Sequence, residues 1–133
     1  MNKPVVLITG ASSGIGQVCA DYMDESGCKV YRASRSLPAS DMNDSASIHM
    51  DVTDADPVNA CVQRIAEKEG RIDVVVNCAG YGLAASVEDT SIEEIKTQLE
   101  TNFYGAIRVS QAVLPLMRQP FTFVTNRLTY PLA

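Results

Sequence analysis

The chain has 133 residues, of which 46% are hydrophobic and 20% are charged, and this composition is typical of one globular domain. Its net charge of −5 provides no basic surface for nucleic acid or for anionic lipid. No apolar run is long enough to cross a membrane, and the first residues do not have the pattern of a signal peptide.

The first part of the chain predicts a strand, a helix and a second strand. The apolar run Val5–Thr9 predicts the first strand. Helical spacing over residues 15–26 predicts a helix that stops at Gly27, and residues 28–33 predict the next strand. The apolar side chains that share one face of this helix, and are expected to pack inward, are Ile15, Val18, Cys19, Tyr22 and Met23.

A glycine-rich turn, TGASSGIG, occupies residues 9–16 between the first strand and the helix. A helix start leaves backbone N–H groups unpaired and carries the positive end of the helix dipole, so this turn favours a phosphate. Gly10 permits a sharp turn, Gly14 lets the main chain approach a pyrophosphate, and Gly16 has no Cβ to separate the helix from the strand. The spacing differs from the usual dinucleotide fingerprint and from a P-loop, and an ordinary turn is the alternative. The candidate cofactor contacts here are Thr9, Gly10, Ser12, Ser13, Gly14, Ile15 and Gly16.

The middle of the chain repeats the alternation. A polar loop over residues 38–47 precedes a short strand over residues 48–52. Asp54 is placed to cap a helix over residues 55–69, which Gly70 ends. Residues 72–77 contain three consecutive valines and predict a strand that is buried on both faces. The inward side chains predicted for the helix are Val58, Cys61, Val62 and Ile65.

The last part of the chain predicts a long helical stretch that opens with a capping box at Ser91. We expect a break near residues 102–105, then a second helix, and a fifth strand over residues 121–125. Alternating strands and helices of this length require right-handed crossovers and a parallel sheet that is covered on both faces. The prediction is a single α/β domain over residues 1–133, a doubly wound parallel sheet of order 3-2-1-4-5, with its ligand at the carboxyl ends of the strands.

Four cysteines, Cys19, Cys28, Cys61 and Cys78, show no C-x-x-C spacing, and His49 is the single histidine. The sequence therefore predicts no metal site. The cysteines have two open interpretations, a pair of disulfides or reduced thiols. Because there is no secretion signal, we expect reduced thiols in a cytoplasmic protein.

Arg35 lies nineteen positions after Gly16, just beyond the second predicted strand. Domains that bind NAD usually present Asp or Glu to the ribose hydroxyls at this place, whereas this chain has Ser34 and Arg35. A cation pairs with the extra phosphate of NADP, Ser34 offers a hydroxyl, and Arg32 adds positive charge nearby. The pattern predicts NADP rather than NAD; the alternative is a solvated arginine in a loop.

Four elements in this order, residues 9–16, 51–52, 77–80 and Asn102, resemble the cofactor-binding elements of the classical short-chain dehydrogenases/reductases. The resemblance covers residues 4–118 and implies a Rossmann-like fold and an NADP-dependent oxidoreductase. It implies hydride transfer between NADP(H) and a small alcohol or carbonyl substrate. Residues 119–133 depart from it.

The resemblance also implies roles for individual residues. Asp51 would accept from the exocyclic amine of adenine and Val52 would flank the ring; alternatively, Asp51 only ends a strand or supports the cap at Asp54. In the segment Asn-Cys-Ala-Gly, where Cys78 replaces a commoner asparagine, small residues let the backbone pass the cofactor ribose. Asn102 corresponds to an asparagine that holds a water linked to the active-site lysine, which makes it a catalytic candidate; a helix junction is the alternative. The cofactor contacts from this segment are Asn77, Ala79 and Gly80.

The family's proton-transfer residues are not found in this sequence. The reaction needs a substrate-orienting serine and a Tyr-x-x-x-Lys pair, in which the lysine lowers the tyrosine pKa. None of the five tyrosines is followed by lysine four residues later. We therefore expect a truncated or frame-shifted product that holds the cofactor-binding half and lacks turnover. The alternatives are a non-catalytic NADP-binding or interaction module, which could form a homo-oligomer, and a non-functional gene fragment.

Overall fold

The computed structural model describes residues 3–37 and 46–118, and these form an α/β domain around a four-stranded parallel sheet. The spatial order of the strands is β3-β2-β1-β4, with every neighbouring pair parallel. The predicted Rossmann-like order is confirmed for these four strands, whereas the fifth strand predicted over residues 121–125 lies outside the described residues. The strands are β1 (Val5–Thr9), β2 (Lys29–Ser34), β3 (Ala46–His49) and β4 (Val74–Asn77).

Successive side chains of β1 point to opposite faces of the sheet, so both faces are apolar and helices cover both of them. Val6 and Ile8 pack with the helix after β1, and Val5 and Leu7 pack in a larger core with the later helices. The helical elements are α1 (Gly14–Glu25), α2 (Ala55–Glu69), α3 (Ile92–Leu99), a π-helical segment (Glu100–Tyr104) and α4 (Gly105–Met117). The doubly wound arrangement follows from this alternation.

Helix α2 agrees with its prediction at both ends. Asp54 caps it, since its side chain accepts a hydrogen bond from the backbone N–H of Asp56 at 3.0 Å. Gly70 ends it in a left-handed conformation. The four predicted inward residues are all buried: Val58, Cys61, Val62 and Ile65.

Helix α1 turns a different face to the sheet from the one predicted. Ile15, Val18 and Tyr22 are 82%, 69% and 70% exposed, whereas Gly16 and Ala20 are buried. The small residues allow the helix backbone to lie close to the sheet, and this rotates the larger apolar side chains into solvent. The predicted apolar face is therefore wrong for these three residues, although Cys19 and Met23 do pack against the sheet.

Strand β4 is less buried than predicted. Val74, Val75 and Val76 are each only partly buried. In the part of the chain that the structure describes, β4 pairs with β1 alone and forms one edge of the sheet. The continuous apolar run indicated burial on both faces, but an edge strand is covered only where a neighbour reaches it.

The expected helix break near residues 102–105 is instead a π turn within one continuous helix. The backbone N–H of Gly105 donates to the carbonyl of Glu100, five residues earlier, and the flanking residues keep right-handed helical angles. An extra residue in the turn loosens the helical ladder without ending it, so the predicted break is wrong. Such π turns are frequent at functional sites.

All four cysteines are free thiols, in agreement with the prediction. Burial raises the pKa of Cys61 to about 12, so this thiol stays protonated in the core. No group of potential metal ligands occurs among residues 3–37 and 46–118. None of the helices described in these ranges has the length and apolar character needed to span a membrane.

Candidate functional site

A cleft of about 700 Å³ lies at the carboxyl ends of the strands. The loops that follow all four strands line it, because parallel strands bring these ends to the same edge of the sheet. Most residues predicted for cofactor binding therefore meet in one place. Those that line the cleft are Gly10, Ser12, Ser13, Gly14, Ile15, Gly16, Ser34, Arg35, Asp51, Val52, Ala79 and Gly80.

The glycine turn is packed too closely for side chains at two positions. A Cβ at Gly10 would lie 2.7 Å from the backbone nitrogen of Ala79, and one at Gly16 would lie 2.2 Å from the carbonyl oxygen of Gly10. Ser13 is the N-cap residue of α1, but its side chain makes no capping hydrogen bond. Backbone N–H groups at this helix start are therefore available for an anion in the cleft.

Thr9 ties the ends of β1 and β4 together beneath the cleft. Its hydroxyl oxygen accepts from the backbone N–H groups of Cys78 at 3.2 Å and Ala79 at 3.1 Å. Asn77 is exposed and donates to the Ser110 hydroxyl on α4 across 3.5 Å. Thr9 and Asn77 thus support the loops around the cleft and do not line it.

A serine cluster joins the glycine turn to the end of β2. The Ser34 hydroxyl donates to the Ser12 hydroxyl at 2.8 Å, and the backbone N–H of Ser36 donates to Ser34 at 3.2 Å. Ser34 is only 9% exposed. The Ser34 hydroxyl therefore lies at the wall of the cleft, and its hydrogen bonds connect the glycine turn to the loop after β2.

Arg35 is exposed at the rim of the cleft and also lines a second cavity of about 630 Å³. Lys96 from α3 and Thr53 line that second cavity as well. Arg32 does not contribute positive charge here, contrary to expectation, because it pairs with carboxylates of α1, that of Asp21 at 2.6 Å. Side chains alternate along β2, so Arg32 lies against α1 while Arg35 follows the strand end.

Asp51 is held in a tight turn beyond β3. Its Oδ1 accepts from the backbone N–H of Thr53 at 2.9 Å and from the Thr53 hydroxyl at 2.8 Å. The backbone hydrogen bond from Thr53 lowers the pKa of Asp51, and the positive charge of Arg35 lowers it further. Asp51 is therefore a carboxylate at neutral pH, and no hydrogen bond from another described residue ends at its Oδ2.

Asn102 lies in the π-helical segment and fastens the loop after β4. Its Oδ1 accepts from the backbone N–H of Tyr81 at 3.0 Å, and its Nδ2 donates to the carbonyl of Tyr81 at 2.8 Å. A Cβ at Gly80 would lie 3.0 Å from this Oδ1. Asn102 stands behind the cleft wall, within hydrogen-bonding reach of the backbone that forms it.

Five further residues line the cleft that the sequence patterns did not single out as cofactor contacts. Each directly neighbours a predicted site residue in the chain, and this adjacency is the signal that would have found them. Burial raises the pKa of Cys78, so at neutral pH this thiol is protonated and is a poor nucleophile. The five residues are Ser36, Met50, Cys78, Tyr81 and Thr101.

Comparison with known proteins gives consistent matches along most of the chain. A sequence profile described as short chain dehydrogenase matches residues 4–122. A 3-ketodihydrosphingosine reductase of Bacteroides thetaiotaomicron is 39% identical over 119 residues, which are 90% of this chain and 44% of the reductase. The chain spans about half the length of the curated relatives it matches.

Solved structures show the same similarity in three dimensions. The ligand-free aldohexose dehydrogenase of Thermoplasma acidophilum superposes with a TM-score of 0.79 at 33% identity, over 87% of this chain and 45% of the dehydrogenase. A tyrosine-to-phenylalanine variant of ElxO with NADPH bound also has a TM-score of 0.79, at 29% identity, over 87% of this chain and 51% of ElxO.

Proposed function

This chain belongs to the short chain dehydrogenase family, and from that premise we propose that it binds NADP in the cleft at the carboxyl ends of its strands. As part of an oxidoreductase, it would serve hydride transfer between NADP(H) and an alcohol or carbonyl substrate. In this proposal the chain supplies the cofactor-binding half of such a site and has no turnover by itself.

Arg35 is the single observation that carries the choice of NADP. It is a cation at the rim of the cleft, directly after β2, and Ser34 and Ser36 on either side of it bear no charge. Lys96 also lines the cavity beside Arg35, but it pairs with Glu93 at 3.2 Å and Glu100 lines the same cavity, so the proposal rests on Arg35. A 2′-phosphate beside Arg35 would gain from its charge and would meet no carboxylate from the end of β2.

The other residues fit the remaining parts of a dinucleotide. The start of α1 lacks a side-chain cap, and the glycine turn leaves its backbone N–H groups open to a pyrophosphate. Asp51 is ionised and has an oxygen available to accept from an adenine amine, with Val52 beside it. Ala79 and Gly80 allow close approach of a ribose.

The nicotinamide ring of the bound cofactor supplies or accepts a hydride, which is one proton with two electrons, and the substrate oxygen must exchange a proton at the same time. Asn102 holds the loop after β4 through its two hydrogen bonds to Tyr81, and in this proposal the proton exchange would occur beside that loop. None of the tyrosines in the sequence has a lysine one helical turn later to lower its pKa. We therefore propose that this chain binds the cofactor without turnover, and that it belongs to a cytoplasmic protein whose substrate is a small molecule.

The test is a titration of the purified chain with NADP and NAD. The wild type is expected to bind NADP about 10 to 100 times more tightly, since a hydrogen bond to a charged group contributes about 1.5–3 kcal/mol. Arg35→Asp is expected to abolish or reverse this preference. Arg64→Asp makes the same change of charge on α2, away from both cavities, and should leave it intact. Equal affinities in the wild type would refute the choice of NADP, and binding of neither nucleotide would refute the proposal.

A further inference from the structure

Arg108 of α4 joins three parts of the molecule beside the cleft. Its Nη1 donates to the carbonyl oxygen of Val52 at 2.7 Å, and its Nη2 donates to Oε1 of Glu100 at 2.5 Å. The first acceptor lies in the loop after β3 and the second in the π-helical segment. One guanidinium therefore holds a cleft-lining loop against the helix behind it, using two donors in a fixed geometry.

The peptide that Arg108 grips is also the one that holds Asp51. The carbonyl of Val52 and the backbone N–H of Thr53 belong to a single planar peptide unit. Arg108 binds the carbonyl end, and the N–H end donates to Oδ1 of Asp51 at 2.9 Å. Because the unit is planar, fixing its carbonyl direction also fixes the direction of the N–H that orients the carboxylate.

Close packing on the same helix holds the side chain of Val52. A Cβ at Gly105 would lie 2.6 Å from Cγ2 of Val52, so the valine rests directly on the helix backbone. Gly105 is also the residue whose N–H closes the π turn onto the carbonyl of Glu100. The π turn therefore places both Gly105 and the Glu100 partner of Arg108 where the cleft loop needs them.

We propose that Arg108 is a positioning residue for the adenosine end of the cofactor. It orients the peptide between Val52 and Thr53, and through that peptide it sets both the carboxylate of Asp51 and the side chain of Val52. This inference rests on the proposed binding of NADP in the cleft. It predicts that the adenosine end depends on Arg108 and that the nicotinamide end does not.

The test compares two halves of the cofactor on the full chain. Adenosine 2′,5′-bisphosphate probes the adenosine end and nicotinamide mononucleotide probes the other end. In Arg108→Ala we expect binding of the bisphosphate and of NADP to weaken at least about tenfold, equivalent to about 1.4 kcal/mol, with the mononucleotide unchanged. Arg118→Ala, a surface change at the end of α4, should leave all three affinities unchanged. Equal losses for both halves would overturn the inference.

Two more variants separate positioning from charge and from failure to fold. Arg108→Lys keeps the charge, but its single ammonium group does not reproduce the two-pronged geometry, so we expect only partial recovery of bisphosphate affinity. Full recovery in Arg108→Lys would show an effect of charge alone and overturn the inference. Gly105→Ala changes no charge and displaces Val52, and it is expected to weaken the bisphosphate selectively even if Arg108→Ala does not fold. A wild type that binds no nucleotide refutes the proposed function. A wild type that binds NADP, with unchanged bisphosphate affinity in a folded Arg108→Ala, refutes only the role of Arg108. If Arg108→Ala does not fold, unchanged bisphosphate affinity in Gly105→Ala overturns the inference.

Discussion

Gly16→Ala is expected to separate the stability of the fold from the binding of a cofactor. The new Cβ would lie 2.2 Å from the carbonyl oxygen of Gly10 and 2.8 Å from its carbonyl carbon. Both are backbone atoms, which cannot rotate away as the end of a side chain can. Helix α1 must therefore retreat by about 1.3 Å before the contact lengthens from 2.2 Å to an ordinary one of about 3.5 Å.

Two opposing effects decide how much stability this substitution costs. Overpacking of this kind costs about 1–3 kcal/mol, and replacing glycine by alanine inside a helix returns about 1 kcal/mol. The net loss in the free energy of unfolding is therefore about 2 kcal/mol when the overpacking cost lies at the upper end of this range, as expected for a clash with backbone, and the domain should still fold. The retreat of α1 withdraws the N–H groups that we assign to the pyrophosphate. Since a hydrogen bond to a charged group contributes about 1.5–3 kcal/mol, NADP affinity should fall about 10- to 100-fold.

Gly27→Ala at the other end of α1 is the matched control. Gly27 has φ +88°, and a Cβ at this position would have no heavy atom within 4 Å. The substitution therefore costs backbone strain of about 1–2 kcal/mol and introduces no clash. Calorimetric titration with NADP and urea unfolding of both variants would test the reasoning. We expect similar losses of stability and a loss of affinity only in Gly16→Ala. Wild-type affinity in Gly16→Ala, or an equal loss in Gly27→Ala, would refute it.

Three further predictions concern activity, pH and association. Purified chain mixed with NADPH and a panel of aldehydes and ketones should oxidise NADPH only at the background rate, since proton-transfer catalysis raises the reaction rate about a hundred- to ten-thousand-fold. Saturable, substrate-dependent loss of NADPH that survives further purification would contradict this. Burial acts to raise the pKa of Glu69, but hydrogen bonds from Lys29, at 2.7 Å, and Tyr31 outweigh it and hold the pKa below its usual value. The stability advantage of the wild type over Glu69→Gln in urea unfolding should thus be complete at pH 7. It should disappear as the pH falls through the lowered pKa of Glu69, and an advantage that does not change with pH would contradict this. The valines of β4 are only partly covered and Ile107 is 43% exposed, so we expect the chain to associate and light scattering to detect oligomers. A monomer with a sharp, reversible thermal transition would contradict this prediction.

Much of the fold could be predicted because it depends on features that are local in the chain. Strand β1 and helix α2 have the predicted bounds, since an apolar run, a capping aspartate at Asp54 and a glycine at Gly70 act on their immediate neighbours. The order of the four described strands agrees with the prediction, which rested on the rule that crossovers between parallel strands are right-handed. The exposure of β4 and the rotation of α1 were not predictable, because both depend on which other elements lie beside them.

The location of the site was likewise determined by the sequence, and its internal contacts were not. Once the strands are parallel, the loops after them must meet at one edge, so the glycine turn, Arg35 and Asp51 were expected to line one cleft, as they do. The pairing of Arg32 with α1 and the grip of Arg108 on the Val52 carbonyl were decided only by the tertiary structure. Arg108 and Val52 are 56 residues apart, and a hydrogen bond at that separation leaves no periodic or local signal in the chain. It forms because Gly105 lets the helix lie against Val52, and close packing between distant elements is a property of the folded molecule alone.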